Sequence, residues 1–379
     1  MKGSRWVGLT SSLLSPSPQG KGGRRLGGGE SHNRNLSGER AAMSSTKAMT
    51  PRERFLAGIL GMPVYQTPVG SPTSVATVEQ MELSGAFFPT VHQDGAAMAK
   101  LASGAHELLG YDAIMPIFSV TQEAAALGCD MDWGTMETMP VAKTHPWSEP
   151  DQVRVPEDFL ERLPIKAVLD AIRILRRQYG NQVAIVGKVM GPWTLSYHLH
   201  GLQDFLMETL LEPEKVRALL DRLKAIPLVF GNAQVAAGAD MLCLADHATG
   251  DLVRGTMYRD YLQSIHRELV RDLGCPVVLH ICGDTLDRIG YIAVAGFAAF
   301  HFDSKVDAKD AVQAAGSMSL VGNVNNTELL LRGTPETVEQ HARHAVEAGV
   351  RVLAPECAIP LRTPLENLKS LHRAVRQYR

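Results

Sequence analysis

Disulfides have little material to work with in this chain. Its 379 residues hold only five cysteines: Cys129, Cys243, Cys275, Cys282 and Cys357. A sparse, odd set in a chain this long is not a disulfide framework, and it implies a reducing, cytoplasmic compartment. Long apolar runs are missing as well; none approaches the roughly 20 residues that span a bilayer as a helix. Neither sign of charge dominates. A formal net charge of -2 leaves out the basic footprint of a nucleic-acid or anionic-membrane binder. No glycine-rich phosphate turn follows the first strand-like segment, which argues against a doubly wound dinucleotide-binding sheet. The rest of the composition, 45% hydrophobic and 21% charged, suits a globular chain with a sizeable core.

Residues 1–48 differ from the rest of the chain. They are rich in Gly, Ser, Arg and Asn, as in Gly22-Gly23-Arg24-Arg25-Leu26-Gly27-Gly28-Gly29, and carry no apolar periodicity. Such a segment buries too little surface to order itself, so it reads as a disordered N-terminal extension without a catalytic role. Trp6 to Leu14 is too short and too polar for the apolar core of a secretion signal. The extension reads either as a transit-type leader or as an upstream start, with Met43 or Met49 as the natural beginning.

From Met49 to Arg379 the chain alternates strand-like and helix-like segments. The strand candidates are Val64 to Val69, Tyr111 to Met115, Val183 to Val189, Asp240 to Ala245, Pro276 to Ile281, Phe297 to Phe302, Ser319 to Asn323 and Val350 to Ala354. Between them lie amphipathic stretches such as Asp94 to Leu109, Pro213 to Gln234, Tyr258 to Leu273 and Thr337 to Ala348. Pro213 and Pro335 stand at helix starts and Gly349 just past a helix end. Eight strands interleaved with helices predict a single (β/α)8 barrel, in which functional groups gather at the C-terminal ends of the strands. Polar residues do follow the strands there: Glu123, Asp246 and His247, His280 and Cys282, Asp303, then Asn323, Asn325 and Asn326, and finally Cys357.

The most informative stretch is Pro276-Val277-Val278-Leu279-His280-Ile281-Cys282-Gly283-Asp284. Residues i and i+2 of a strand share a face, so His280 and Cys282 project together from the strand end. A core cysteine beside a satisfied histidine would look the same. Cys357, which follows another strand-like run, tips the balance, because an imidazole and two thiolates with a fourth position open describe a catalytic zinc. Cys282 and Cys357 are 75 residues apart, so only a fold that gathers strand ends closes such a site. A thiol bound there would have its pKa drawn from about 8.5 to below neutrality. The donor set therefore suits alkylation of a thiol better than activation of water. Asp284 reads either as a group orienting a ligand or as a turn residue. Cys243 and Cys275 read as packing; Cys129 reads as packing or as a residue approaching the mouth, and His198 and His200 read as surface or packing residues or as lining of the substrate cavity.

The chain from Thr50 onward resembles the uroporphyrinogen decarboxylase superfamily, and within it the corrinoid-dependent methyltransferases of the methylcobamide:coenzyme M type. The resemblance is carried by Thr50-Pro51-Arg52-Glu53-Arg54, Gln122-Glu123-Ala124-Ala125-Ala126-Leu127-Gly128-Cys129 and Gly191-Pro192-Trp193-Thr194-Leu195. It continues in His280-Ile281-Cys282-Gly283, Gly322-Asn323-Val324-Asn325, Cys357-Ala358-Ile359-Pro360 and Thr363-Pro364-Leu365-Glu366-Asn367-Leu368. It implies a (β/α)8 barrel with His280, Cys282 and Cys357 as zinc ligands. It also implies catalytic acids at the cavity, Asp246 and Glu123, and a cofactor contact at Asn323. The arginine-rich segment with which the decarboxylases grip porphyrinogen carboxylates has no counterpart in Pro68-Val69-Gly70-Ser71-Pro72-Thr73-Ser74, so a polycarboxylate substrate would lack partners.

The resemblance thus implies a zinc-dependent transfer of a methyl group between a corrinoid and a small thiol or other acceptor. With no Asp-x-His-x-x-Gly cobalamin motif in the sequence, the corrinoid is expected on a separate partner protein. Demethylation of a methoxylated compound is the alternative within the same chemistry. A metal-free decarboxylase and a non-enzymatic zinc-stabilised scaffold are the readings from other classes.

Overall fold

The computed structural model describes residues 49–376; the expectation for residues 1–48 lies outside them. Its centre is a parallel sheet. The strands β1 (Ala113–Ile114), β4 (Ala184–Met190), β5 (Met241–Ala245), β6 (Val277–Ile281), β7 (Ala299–Phe302), β8 (Ser319–Val324) and β9 (Val352–Pro355) run in that order. A short antiparallel pair, β2 (Met131–Asp132) and β3 (Val141–Ala142), stands apart from it. The sheet closes through residues 68–70. Leu353 N donates to the Pro68 carbonyl (2.9 Å), Gly70 N to the Leu353 carbonyl (3.1 Å), and Asp112 N to the Val69 carbonyl (2.7 Å). Val69 thereby bridges the first and last strands, and the barrel predicted from the sequence is complete.

The expected first strand, Val64 to Val69, survives only as this bridge at Val69. Pro68 has no N–H to give a ladder, and Tyr65 turns outward to accept a hydrogen bond from Arg54 Nη1 (2.5 Å). The expected helix from Pro213 to Gln234 is two helices, Pro213–Leu223 and Ala225–Ala237, which meet at Lys224. Pro227 explains the break, since its ring and missing N–H disrupt the turn before it. The helix Pro335–Ala348 begins under a Thr334 cap and ends at Gly349, whose φ of +108° is the left-handed conformation that favours glycine. No helix among the described residues is long and apolar enough to cross a membrane.

The Thr50-Pro51-Arg52-Glu53-Arg54 motif builds the far end of the barrel. Thr50 and Glu53 form a capping box on the helix Pro51–Ile59. Arg52 pairs with Asp240 just before β5 (2.9 Å), and Arg54 pairs with buried Asp112 just before β1. These partners precede their strands, so the helix covers the N-terminal end. The C-terminal end is left for chemistry.

Candidate metal centre and barrel mouth

His280 and Cys282 occupy the end of β6 and Cys357 follows β9. The three donor atoms converge: His280 Nε2 lies 3.1 Å from Cys282 Sγ, the two sulfurs are 3.0 Å apart, and Cys357 Sγ is 3.5 Å from His280 Nε2. Both thiols are free and partly exposed to the mouth, whereas His280 is 1% exposed. Tetrahedral zinc with ordinary Zn–S and Zn–N bonds needs donor separations of about 3.6–3.8 Å. The triangle would have to open by up to roughly 0.8 Å at the sulfur–sulfur edge and less at the others, so the donor set fits that ion with a small side-chain adjustment.

Burial and the neighbouring imidazoles of His301 and His247 press the His280 pKa well below its ordinary value, which keeps the ring neutral as a ligand must be. Cys357 is the thiol that ionises more readily, because Cys282 donates toward its sulfur; the same contact, with burial, raises Cys282.

The loops that carry these donors are tied to one another. Asp303, after β7, accepts from Gly283 N (2.8 Å) and Lys305 N (2.9 Å). Glu356 accepts from Asn326 N (2.7 Å) and Ser304 N (3.1 Å). Thus the backbones after β6, β7 and β8 are fixed to the segment that carries Cys357. Gly283 is required by space as well as by its φ of +80°, since a Cβ there would lie 2.3 Å from Thr249 Oγ1 and 2.4 Å from Asp251 Oδ2. Asp284 takes the turn role, accepting from Leu286 N (3.2 Å).

Asp246 and His247 follow β5, and the Gly191-Pro192-Trp193-Thr194-Leu195 motif clamps them. Asp246 is fully buried. Its Oδ1 accepts from Thr194 N (2.8 Å), and its Oδ2 lies 2.9 Å from His266 Nε2. A Cβ on Gly191 would come within 2.2 Å of the Asp246 side chain, so only glycine fits there. Thr194 Oγ1 accepts from His247 N (2.8 Å), and Tyr197 OH donates to the His247 carbonyl (3.2 Å). Both carboxylate oxygens of Asp246 are therefore engaged in holding this turn.

Glu123 is buried and accepts from Met190 N (2.8 Å); burial pushes its carboxyl up to about 7. Asn323 donates from Nδ2 to the Val306 carbonyl (3.0 Å). It lines a cavity of about 830 Å³ with Lys305, Asn325 and His344, apart from the three converging donors. Cys129 donates to the His198 carbonyl, and Cys243 and Cys275 are buried.

Two inner-wall residues are not among those expected from the sequence. Lys188 pairs in register with Cys243 on β5. Its neighbour Gly187 faces Gln234 on the outer helix, which leaves Lys188 facing inward. Burial lowers its pKa, while the nearby Cys243, Glu123 and Cys357 act in the opposite sense. His301 lies in register with His280, their rings 4.5 Å apart, and its Nε2 meets the Pro355 carbonyl at 2.8 Å. A signal for both was present: a lone polar residue on the inward-facing register of an otherwise apolar strand.

Residues 50–378 match the uroporphyrinogen decarboxylase family. The chain belongs to that family. Within it, the chain is 34% identical over 332 residues to the methylated-thiol–coenzyme M methyltransferase of Methanosarcina mazei, covering 87% of this chain and 90% of the relative. It is 35% identical to the methylcobamide:CoM methyltransferase MtaA of Methanosarcina barkeri, over 87% and 98% of the two chains. A solved methyltransferase from Methanosarcina mazei superposes with a TM-score of 0.84 at 34% identity, over 87% of this chain and 99% of the other. The chain thus falls among the methyltransferases of its family.

Proposed function

We propose that this family member is a zinc-dependent methyltransferase that moves a methyl group between a corrinoid carried by a separate protein and a small thiol. The observation that carries the proposal is the meeting of His280 Nε2, Cys282 Sγ and Cys357 Sγ within 3.5 Å of one another, from strand ends distant in sequence. The naming of relatives for transfer to coenzyme M supports a thiol acceptor. A zinc ion at these donors would keep a bound thiol ionised at neutral pH and so nucleophilic.

The chain's own residues supply the rest of the chemistry. Lys188 offsets the negative charge that ionised cysteines bring inside the barrel. Glu123, titrating near neutrality, is matched to accept the proton an incoming thiol gives up. Asp246 acts by orientation, fixing the turn that presents His247 to the mouth. The partly exposed sulfurs leave the mouth open to a docking corrinoid protein. A reducing, cytoplasmic setting, which would keep Cys282 and Cys357 unoxidised, belongs to the same reading.

The test is elemental analysis of anaerobically purified wild type and Cys357→Ser, followed by methyl transfer from methylcobalamin to a panel of thiols. Stoichiometric zinc in the wild type, lost in the variant together with transfer, is the expected result. Wild-type protein without zinc, though shielded from oxygen and chelators, would overturn the mechanism and favour metal-free chemistry of the family.

A further inference from the structure

Three donors leave a tetrahedral ion one position short, and the residues around the mouth differ in their freedom to fill it. The carboxylates that tie the donor-bearing loops together are committed to backbone groups. Asp303 accepts two backbone N–H groups with its two oxygens, and so does Glu356. His301 has its Nε2 on the Pro355 carbonyl, and its Nδ1 is buried without a partner. His247 is different. Its main chain is held at both N–H and C=O by Thr194 and Tyr197, yet its Nε2 is buried without a hydrogen-bond partner. The ring stands almost perpendicular to that of His280, at 85° with centroids 5.6 Å apart. Ligand atoms of His247, His280 and Cys282 all lie within 4.8 Å of one another. A buried imidazole nitrogen without a partner loses favourable interactions unless something binds it, and here it is held beside the candidate ligands.

We infer that His247 is the fourth ligand of the resting enzyme and that the substrate thiol displaces it. This inference rests on the zinc reading of the site. To reach bonding separation from His280 and Cys282 the ring has to close by at most roughly an ångström, a movement open to a side chain whose backbone is fixed. On exchange, the metal–imidazole bond breaks and a metal–sulfur bond forms. The thiol's proton passes to Glu123, the acceptor named above, and His247 returns to the mouth as a neutral ring. The donor set passes from two sulfurs and two nitrogens to three sulfurs and one nitrogen. A strongly held protein ligand would block substrate, whereas an imidazole held beside the site would keep water out and still yield to a thiolate. The same device favours thiols over alcohols as substrates, because only the softer donor competes with an imidazole for zinc.

Zinc K-edge X-ray absorption tests this, since imidazole rings give a countable outer-shell pattern. Resting wild type is expected to show two imidazoles and two sulfurs; His247→Ala is expected to show one imidazole, with zinc affinity against a chelator weakened roughly ten- to hundredfold. Titration of the wild type with 2-mercaptoethanol should convert two imidazoles to one while the sulfur count rises to three, a readout that needs no variant to fold. One imidazole in resting wild type with zinc bound, or two imidazoles persisting after thiol has bound, overturns the role of His247 and leaves the zinc reading intact. Zinc-free wild type overturns the zinc reading itself.

Discussion

Asp246 and His247 are adjacent in sequence, but they belong to two different kinds of buried polar cluster. Asp246 is closed: Thr194 N and His266 engage its two oxygens, and Tyr258 OH lies 3.2 Å from the other nitrogen of His266. The cluster of His247, His280, Cys282 and Cys357 is open. Its donors face one another at close range, and His247 Nε2 has no partner among the described residues. Buried polar groups are nearly always satisfied, and a fully satisfied network rigidifies a fold. The closed cluster is scaffold in this sense, and the open one is a place that gains stability by binding.

The comparison breaks most visibly at Cys357. Cys357→Ser should abolish stoichiometric zinc and lower methyl transfer by more than about 100-fold, with the barrel still folded, as circular dichroism and elemental analysis on one preparation would reveal. A variant that unfolds when zinc leaves would mean that the open cluster is a structural zinc site, whose ion contributes folding free energy directly.

The closed cluster should respond the other way. Asp246→Ala leaves His266 and Thr194 N without their acceptor in a fully buried site, at a cost on the order of 3 kcal/mol. Urea unfolding should register that loss while zinc content stays nearly unchanged. A variant of unaltered stability that had lost its zinc would erase the distinction between the two clusters.

Glu123 lies between these extremes, satisfied by Met190 N yet titrating near neutrality. Its ordinary value is 4.5 and burial raises it to about 7. Between those pH values the folded chain holds a proton that the unfolded chain has released. Its contribution to stability is therefore lost as pH rises from 4.5 to 7, by at most about 1.4 kcal/mol per pH unit, and is level above. Glu123→Gln should remove this fall, so the variant gains on the wild type between pH 4.5 and pH 7 in urea titrations. Parallel pH profiles of the two proteins would place Glu123 with the scaffold.

The contrast also explains what was legible in the sequence. Strand existence was readable because β4 to β9 are apolar runs, and the barrel followed from their alternation with helices. The meeting of His280, Cys282 and Cys357 was readable because the i, i+2 rule fixes a shared face and a barrel brings strand ends together. What pattern could not reveal depends on tertiary spacing. That Asp246 turns to Thr194 while His247 keeps a free nitrogen is decided by how close Gly191 lets the two loops approach. Lys188 and His301 were missed because an apolar run draws attention away from its one polar member. The short first strand was overestimated because Val64 to Val69 has the right composition, and its pairing is limited by Pro68 and by the tie from Tyr65 to Arg54.

The smallest expected effect belongs to Asn323, and it sharpens the comparison from outside both clusters. Its Nδ2 donates to the Val306 carbonyl, a part-buried bond worth about 1 kcal/mol. Asn323→Ala should register that loss in urea unfolding and leave zinc content as it was. Kinetics with methylcobalamin then separate two roles. If Asn323 only ties the loop after β7, the KM for methylcobalamin stays within about twofold of wild type, since no bond to the cofactor is lost. If its side chain also meets the corrinoid, the KM rises several-fold at constant zinc, because a hydrogen bond of about 1 kcal/mol corresponds to roughly a fivefold change in affinity. The bond to Val306 uses one of the two amide hydrogens, which leaves the other for a ligand in the cavity that Asn323 lines with Lys305 and Asn325. The stability loss is therefore expected in either case, and the KM decides whether the corrinoid reaches this side of the mouth.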